Sequence, residues 1–292
     1  MGFCAFATTN KSPKGKNMKN MTRTLLITCA FSLMSGSAFA AGECATGKTV
    51  TDGMFTIATG NPAYFPWVIN DSPESGEGFE AAVAYALAER MGFDAEHVAW
   101  TRTTFDQAIQ PGAKDFDINM QQYSITEERR QTIDFSVPYY TSAAAVLTRQ
   151  TTIDAGAQPN IASLKGLIWG AAAGTTANEL IASLVAPDAS VLLYDDNADL
   201  TEALKSNQID AALLDLPSAL FTAAVLMDDG VVMGQFQPDA TGGLDQFGAV
   251  MEKGNPLLSC VDAALSQMSA DGTLASIEAR WLQSETGVPV VE

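Results

Sequence analysis

The sequence predicts an α/β protein folded as two lobes of similar build, and three observations carry that expectation. Short apolar runs alternate with helical patterns along most of the chain, the grammar of strands covered by helices. A helix–turn–strand unit at residues 105–120 recurs at residues 200–215, roughly 95 residues later, so two related lobes are favoured over one large sheet. The 292 residues suffice for about two domains, each with its own core.

The bulk properties exclude several classes. With 47% apolar and 17% charged residues the chain is globular, and a net charge of −18 with a pI near 4.3 argues against nucleic acid or anionic membrane as partners. Residues before Met18 read as an upstream extension, and 18–40 as a secretory signal. Lys19 and Arg23 are basic, 25–34 are apolar, and Ser37-Ala38-Phe39-Ala40 predicts cleavage after Ala40. The apolar run is too short to span a bilayer and no later run is longer, so the mature chain is expected to be soluble in an oxidising compartment. Removing 1–40 discards five basic residues and no acid, leaving a charge of about −23. Two cysteines then remain, Cys44 and Cys260. An even pair in an exported chain favours a disulfide over a free thiol or a metal site, for which His97, the lone histidine, offers no companion. Neither metal nor cofactor is expected.

Taken in order, residues 55–59 form a strand, and the Pro- and Gly-rich loop 60–67 carries Asn61, Tyr64, Phe65 and Trp67 at its C-terminal edge, where open α/β sheets bind ligands. Phe65 and Trp67 could equally plug the core beneath that loop. A helix from 79 to 91 closes at Gly92. Phe105 opens the first repeated unit, whose strand ends at Met120. The stretch after it, Gln121-Gln122-Tyr123-Ser124-Ile125-Thr126-Glu127-Glu128-Arg129-Arg130, is the most informative. Thr126 reads as an N-cap with acids in the first turn, and Arg129 is out of place there unless an anion is held. Ser and Thr hydroxyls, helix N–H groups and a guanidinium make a cradle for a carboxylate.

The strand 143–148 leads into the turn-rich stretch 149–159, read as the first crossing between lobes. Strand 167–171, then Gly174-Thr175-Thr176, then a helix is a second anion-binding arrangement, with Thr176 as cap, although such a triplet is often a plain N-cap. Asp215 ends an apolar strand, where a carboxylate needs a cation or donors, or serves as a cap for the helix near Pro217. A second crossing is placed at 241–246, followed by helices carrying Cys260 and Trp281. The resulting partition is 1–40 extension and signal, 41–149 first lobe, 150–243 second lobe, and 244–292 return to the first.

The run 124–130 followed by Ile133-Asp134-Phe135-Ser136-Val137-Pro138-Tyr139-Tyr140 resembles the signature of bacterial family 3 extracellular solute-binding proteins, from about Met54 to about Leu282. The resemblance implies a type II, Venus-flytrap periplasmic-binding-protein fold with two crossover hinge strands. It also implies a monomeric periplasmic receptor that delivers an α-amino acid to the membrane permease of an ABC importer. Carried over residue by residue, Arg129, Ser124, Gly174, Thr175 and Thr176 take the ligand carboxylate, and Asp215 with Gln122 the ammonium. Tyr64 and Trp67 match the motif enclosing the ligand side chain, joined by Asn61, Gln121 and Phe105. The chain departs from the pattern at Gln121 and Gln122, where small residues are usual, and at Val137, where Asp is usual; the ligand side chain stays open. Exported cyclohexadienyl dehydratases acting on prephenate or arogenate share the fold and are the alternative. Against an enzyme, no Cys–His or Ser–His pairing and no phosphate loop is present, and Asp195-Asp196 reads as a solvated turn.

Overall fold

The computed structural model describes residues 44–242, 246–282 and 287–292; the signal segment and cleavage site expected within 1–40 lie outside the described residues. A first sheet has the order β2-β1-β3-β12-β4, formed by Val98–Thr103, Phe55–Gly60, Ile118–Asn119, Val250–Glu252 and Ile133–Phe135. β1 runs parallel to β2 and β3, whereas β12 is antiparallel to β3 and β4. All of β1 is buried, because the sheet is covered on both faces and alternation has no solvent side to serve. On one face Phe55 and Ile57 pack with Phe79, Val83 and Leu87 of α1 (Phe79–Arg90) and with Val261 and Leu265 of a long C-terminal helix; on the other Ala58 and Val250 meet Phe116, Tyr123 and Phe135.

The second sheet has the order β10-β6-β9-β7-β8, formed by Gly230–Gln235, Ala144–Arg149, Ala211–Asp215, Trp169–Ala172 and Leu192–Tyr194. β9, β7 and β8 are mutually parallel, so all three deliver their C-terminal ends to one edge. Val146, Trp169 and Leu213 fill one face, and Leu147, Leu200, Leu204 and Ala212 the other. The remaining helices are α2 (Phe105–Ile109), α3 (Gln150–Asp154), α4 (Ile161–Leu164), α5 (Ala177–Leu180), α6 (Asn197–Lys205), α7 (Leu216–Phe221), α8 (Leu258–Ala270) and α9 (Thr273–Trp281). The repeated unit is present in both lobes: α2 precedes β3 in the first sheet, and α6 precedes β9 in the second.

Two strands join the lobes, β5 (Tyr140–Thr141) and β11 (Gln246–Phe247), paired antiparallel as Tyr140 to Phe247 and Thr141 to Gln246. The structure corrects three sequence expectations here. The strand 144–149, placed at the end of the first lobe, pairs with β9 and β10 in the second sheet, so the chain crosses at 140–143. The C-terminal residues do not stay with the first lobe: Gln235 donates to Pro289 O at 2.8 Å and Val291 N donates back to Gln235 O at 2.9 Å, extending the second sheet. The helix expected after Thr126 is only a single 3-10 turn, Arg129–Gln131, although Thr126 Oγ1 does accept the Arg129 N–H at 3.1 Å. A disulfide links Cys44 to Cys260 on α8 across 216 residues of chain.

Candidate functional site

Between the lobes lies a cavity of about 260 Å³ whose walls come from both sheets. The first lobe contributes Asn61, Pro62 and Tyr64 from the loop after β1, Thr104 and Phe105 at the start of α2, and Gln121, Gln122 and Ser124 after β3. The second contributes Thr175 and Thr176 after β7, Asp195 to Asn197 after β8, and Asp215 at the end of β9, while Phe247 of the crossover strand β11 forms part of the floor. Strand ends converge because every βα connection on the parallel part of each sheet opens on the same edge.

The turn 121–131 hangs from that crossover strand. Ile125 N donates to Gln246 O at 2.8 Å and Gly248 N to Tyr123 O at 3.1 Å. Arg129 then reaches across the cleft. Its Nη1 donates to Ser124 O at 2.7 Å and its Nη2 to Gly174 O of the second lobe at 2.8 Å, with the guanidinium over the Phe105 ring at 5.5 Å. Among the described residues no carboxylate forms an ion pair with it. Burial pulls its pKa below the ordinary value, more than Tyr123, Glu128 and Asp106 offset. Gly174 has φ +72, and a Cβ there would collide with the Asp106 carboxylate, so glycine permits both the turn and the close approach of the lobes.

Thr176 stands at the N-cap position of α5, but its side chain makes no capping bond; its Oγ1 lies 3.2 Å from Ser124 Oγ in the other lobe. The neighbouring Thr175 turns back instead, donating to Ala172 O at 2.7 Å. The expectation that Thr176 caps the helix is therefore replaced by a contact between lobes.

Asp215 is the helix cap that was one of the two readings of its position. Its Oδ1 accepts the Ser218 N–H at 2.8 Å as cap of α7, and the residue also lines the cavity. Burial pushes its carboxyl up to about 6, against the amide and hydroxyl of Ser218. Trp67 does not line the cavity, contrary to expectation. It is fully buried among Phe79, Tyr140 and Phe247, and its Nε1 donates to Ser218 Oγ at 2.8 Å, bracing the same Ser218 from the other lobe. Phe65, two residues before it, packs on Phe221 of α7 at 4.2 Å between ring centres.

Two acidic features were missed. Glu80, only 1% exposed, accepts from Gln122 N at 2.8 Å, from Gln122 Nε2 at 2.5 Å and from the Tyr139 hydroxyl. Burial pushes it up to about 7; those hydrogen bonds oppose the shift and the Asp215 charge adds to it. It holds Gln122 in a left-handed conformation, φ +51, at the cavity wall. A signal existed: Glu80 occupies the first position of the stripe 80, 83, 84, 87, whose other members are apolar. The second feature is Asp195-Asp196, which lines the cavity. Asp196 caps α6 through Ala198 N at 2.8 Å and Asp199 N at 2.9 Å. Tyr64 faces it from the first lobe; burial, then the Asp196 charge, push its hydroxyl up to about 12, and the Ala198 amide opposes the rise.

His97 is exposed and paired with Asp94 at 2.7 Å, away from the cavity lining. Among the described residues no group of three or more His, Cys, Asp or Glu side chains is placed to hold a metal, and no helix is long and apolar enough to cross a membrane.

Comparison with known proteins agrees with this architecture. The family described as bacterial extracellular solute-binding proteins, family 3, matches residues 56–284. The L-cystine-binding protein of Escherichia coli strain K12 is 29% identical over 210 residues, covering 71% of this chain and 75% of that protein. An ancestral arginine-binding protein bound to glutamine superposes with a TM-score of 0.64 at 27% identity, over 79% of this chain and 98% of that one. An ancestral amino-acid-binding protein described as a precursor of cyclohexadienyl dehydratase gives 0.62 at 29% identity, over 79% and 96%.

Proposed function

We propose that this chain, which belongs to family 3 of the bacterial extracellular solute-binding proteins, holds a free α-amino acid in the cleft and presents it to the membrane permease of an ABC importer. One observation carries the reading: Asp215 of the second lobe lines one small cavity, Arg129 of the first lobe stands beside it on the carbonyl of the lining residue Ser124, and each is held only by neutral partners. A zwitterion supplies the two missing counter-charges at once, the carboxylate to Arg129 and the ammonium to Asp215.

In this reading Ser124, Thr175 and Thr176 add hydroxyls for the carboxylate, and Gly174 brings the second lobe close enough for Arg129 to serve both. Gln122, fixed by Glu80, stands with Asp215 at the ammonium. Asn61, Tyr64, Gln121 and Phe105 surround the ligand side chain, and Trp67 acts behind them by positioning Ser218. A ligand touching both walls favours the shut arrangement by its differential affinity for it, and the shut form is what the permease recognises. The mature chain is a periplasmic monomer released by cleavage after Ala40.

The dehydratase reading rests on likeness to the dehydratase precursor, itself an amino-acid-binding protein. Isothermal titration of the purified protein with the common L-amino acids is expected to give one or a few micromolar or tighter ligands, lost in Arg129→Ala. Turnover of prephenate or arogenate, with no amino acid bound, would replace the receptor by the enzyme.

A further inference from the structure

We infer that Trp67 is a positioning residue for the ammonium end of the site: from the first lobe, its indole N–H commits the Ser218 hydroxyl to the Asp215 carboxylate. This rests on reading the cavity as an amino-acid site and adds how its acidic end is kept ready.

The loop 60–67 and α7 meet across the junction of the lobes at two places. Phe65 packs on Phe221, and three residues earlier on the same helix Ser218 Oγ accepts the Trp67 Nε1–H at 2.8 Å. The indole has little freedom to turn. It is fully buried, with the rings of Phe79, Tyr140 and Phe247 set edge-on to it at 5.6 to 5.8 Å between centres. Ser218 is buried too, so water does not compete for its hydroxyl.

Donor chemistry then sets the direction of the chain. An indole N–H can only donate, and a serine hydroxyl carries one hydrogen. With Trp67 donating to Ser218 Oγ, that hydrogen is left for the carboxylate of Asp215, whose Oδ1 already accepts the Ser218 amide at 2.8 Å. Amide and hydroxyl of Ser218 both bond the carboxylate and favour its charged form against the burial that opposes it. Without the indole N–H, Ser218 Oγ could equally accept from a protonated Asp215, the form with no charge to offer an ammonium. Other titratable groups face the same carboxylate. Glu80 of α1 is close enough for the two charges to act on each other, Tyr64, Asp195 and Asp196 share the cavity wall, and Arg129 lies beside it. All of these are retained in variants at 67 and 218, so the ratio of variant to unmodified protein isolates the Trp67–Ser218 contribution.

The test uses Trp67→Phe, which keeps a ring and loses the N–H, Ser218→Ala, which loses the hydroxyl and keeps the capping amide, and the two combined. Carboxyl carbon resonances of aspartate-labelled, ligand-free protein, with Asp215→Asn identifying the signal, give the Asp215 midpoint directly. It is expected to rise by about 0.5 or more on the pH scale in each single variant, and in the combined one no further than in Ser218→Ala. In the unmodified chain the Trp67 indole N–H resonance should titrate with that same midpoint, a readout that needs no substitution at 67. Titration calorimetry with the common L-amino acids should show binding weakened about threefold or more at pH 5, and within about twofold of the unmodified protein at pH 8. Binding weakened equally at both pH values, an Asp215 midpoint unmoved in Trp67→Phe, or an indole resonance indifferent to Asp215 each makes Trp67 a packing residue alone. Any of these overturns the inference while the receptor reading stands. If no amino acid binds at either pH, both fall.

Discussion

Arg102 and Arg129 lie on the same lobe and do opposite things. Arg102 is satisfied: Nη1 pairs with Asp71 at 2.5 Å and donates to Gly60 O at 2.8 Å, and Nη2 reaches Asp71 O at 2.6 Å. Asp71 in turn accepts the Ala63 N–H at 2.9 Å. Partial burial works to raise the Asp71 carboxyl, but the Ala63 amide and the guanidinium outweigh it and hold the pKa below the ordinary value. The result is a brace that shapes the loop bearing Asn61 and Tyr64. Arg129 meets carbonyl oxygens instead, partners that orient a guanidinium without neutralising it. Its opposite number Asp215 is likewise oriented by an amide and pushed up, where Asp71 is held down. A charge given a counter-ion builds structure; a charge given only dipoles is kept for something else.

The contrast breaks most directly at Arg129. Arg129→Ala is expected to cost about 2–5 kcal/mol of amino-acid binding, a loss of at least roughly 30-fold by calorimetry, with the melting temperature little changed. Should affinity survive, the division between structural and reserved charge fails. Asp215→Asn keeps the cap of α7 and is expected to weaken binding by about 2–3 kcal/mol, again with stability nearly intact. The paired substitution Cys44→Ser with Cys260→Ser sharpens the contrast from outside the cleft. Chemical denaturation should show about 2–4 kcal/mol of lost stability, and ligand affinity at low temperature should not move. Arg102→Ala is expected to lose only about 1 kcal/mol of stability, because the pair is partly exposed, with a smaller affinity loss than Arg129→Ala.

The smallest effect concerns pH. Glu80 and Asp215 are raised to about 7 and about 6 from ordinary values of 4.5 and 3.8, so the folded chain holds their protons to higher pH than the unfolded chain does. Their contribution to stability is full below the ordinary values and is lost as pH rises through about 6 to 7. Glu80→Gln should therefore flatten the decline of unfolding free energy between roughly pH 4 and 7 relative to the unmodified protein; an identical slope would remove Glu80 from this account.

Much of this was legible along the chain, because local chemistry announces it. The polar run that ends β3, the Gly-Thr-Thr triplet after β7 and the acid that ends apolar β9 each break a pattern where they stand, and each lies at the cleft. What failed to show was decided by the other lobe. Trp67 looked as ready for a ligand as Tyr64 until Phe79, Tyr140 and Phe247 closed around it. Thr176 has the sequence of a cap, yet Ser124 lies within reach of its hydroxyl. Asp195-Asp196 looked like any acidic turn, and only the order of the strands brings it beside the cavity. Contacts between the two lobes leave no periodicity to read.

Phe247 belongs to one of the two strands that join the lobes, and it also lines the cavity between them. The same residue is bridged to Ser124, whose carbonyl steadies Arg129. Connection between the lobes and wall of the cavity are thus one piece of backbone. Shaving that ring to alanine should alter residence time and resting posture in step, leaving no variant at this position that is purely mechanical or purely adhesive.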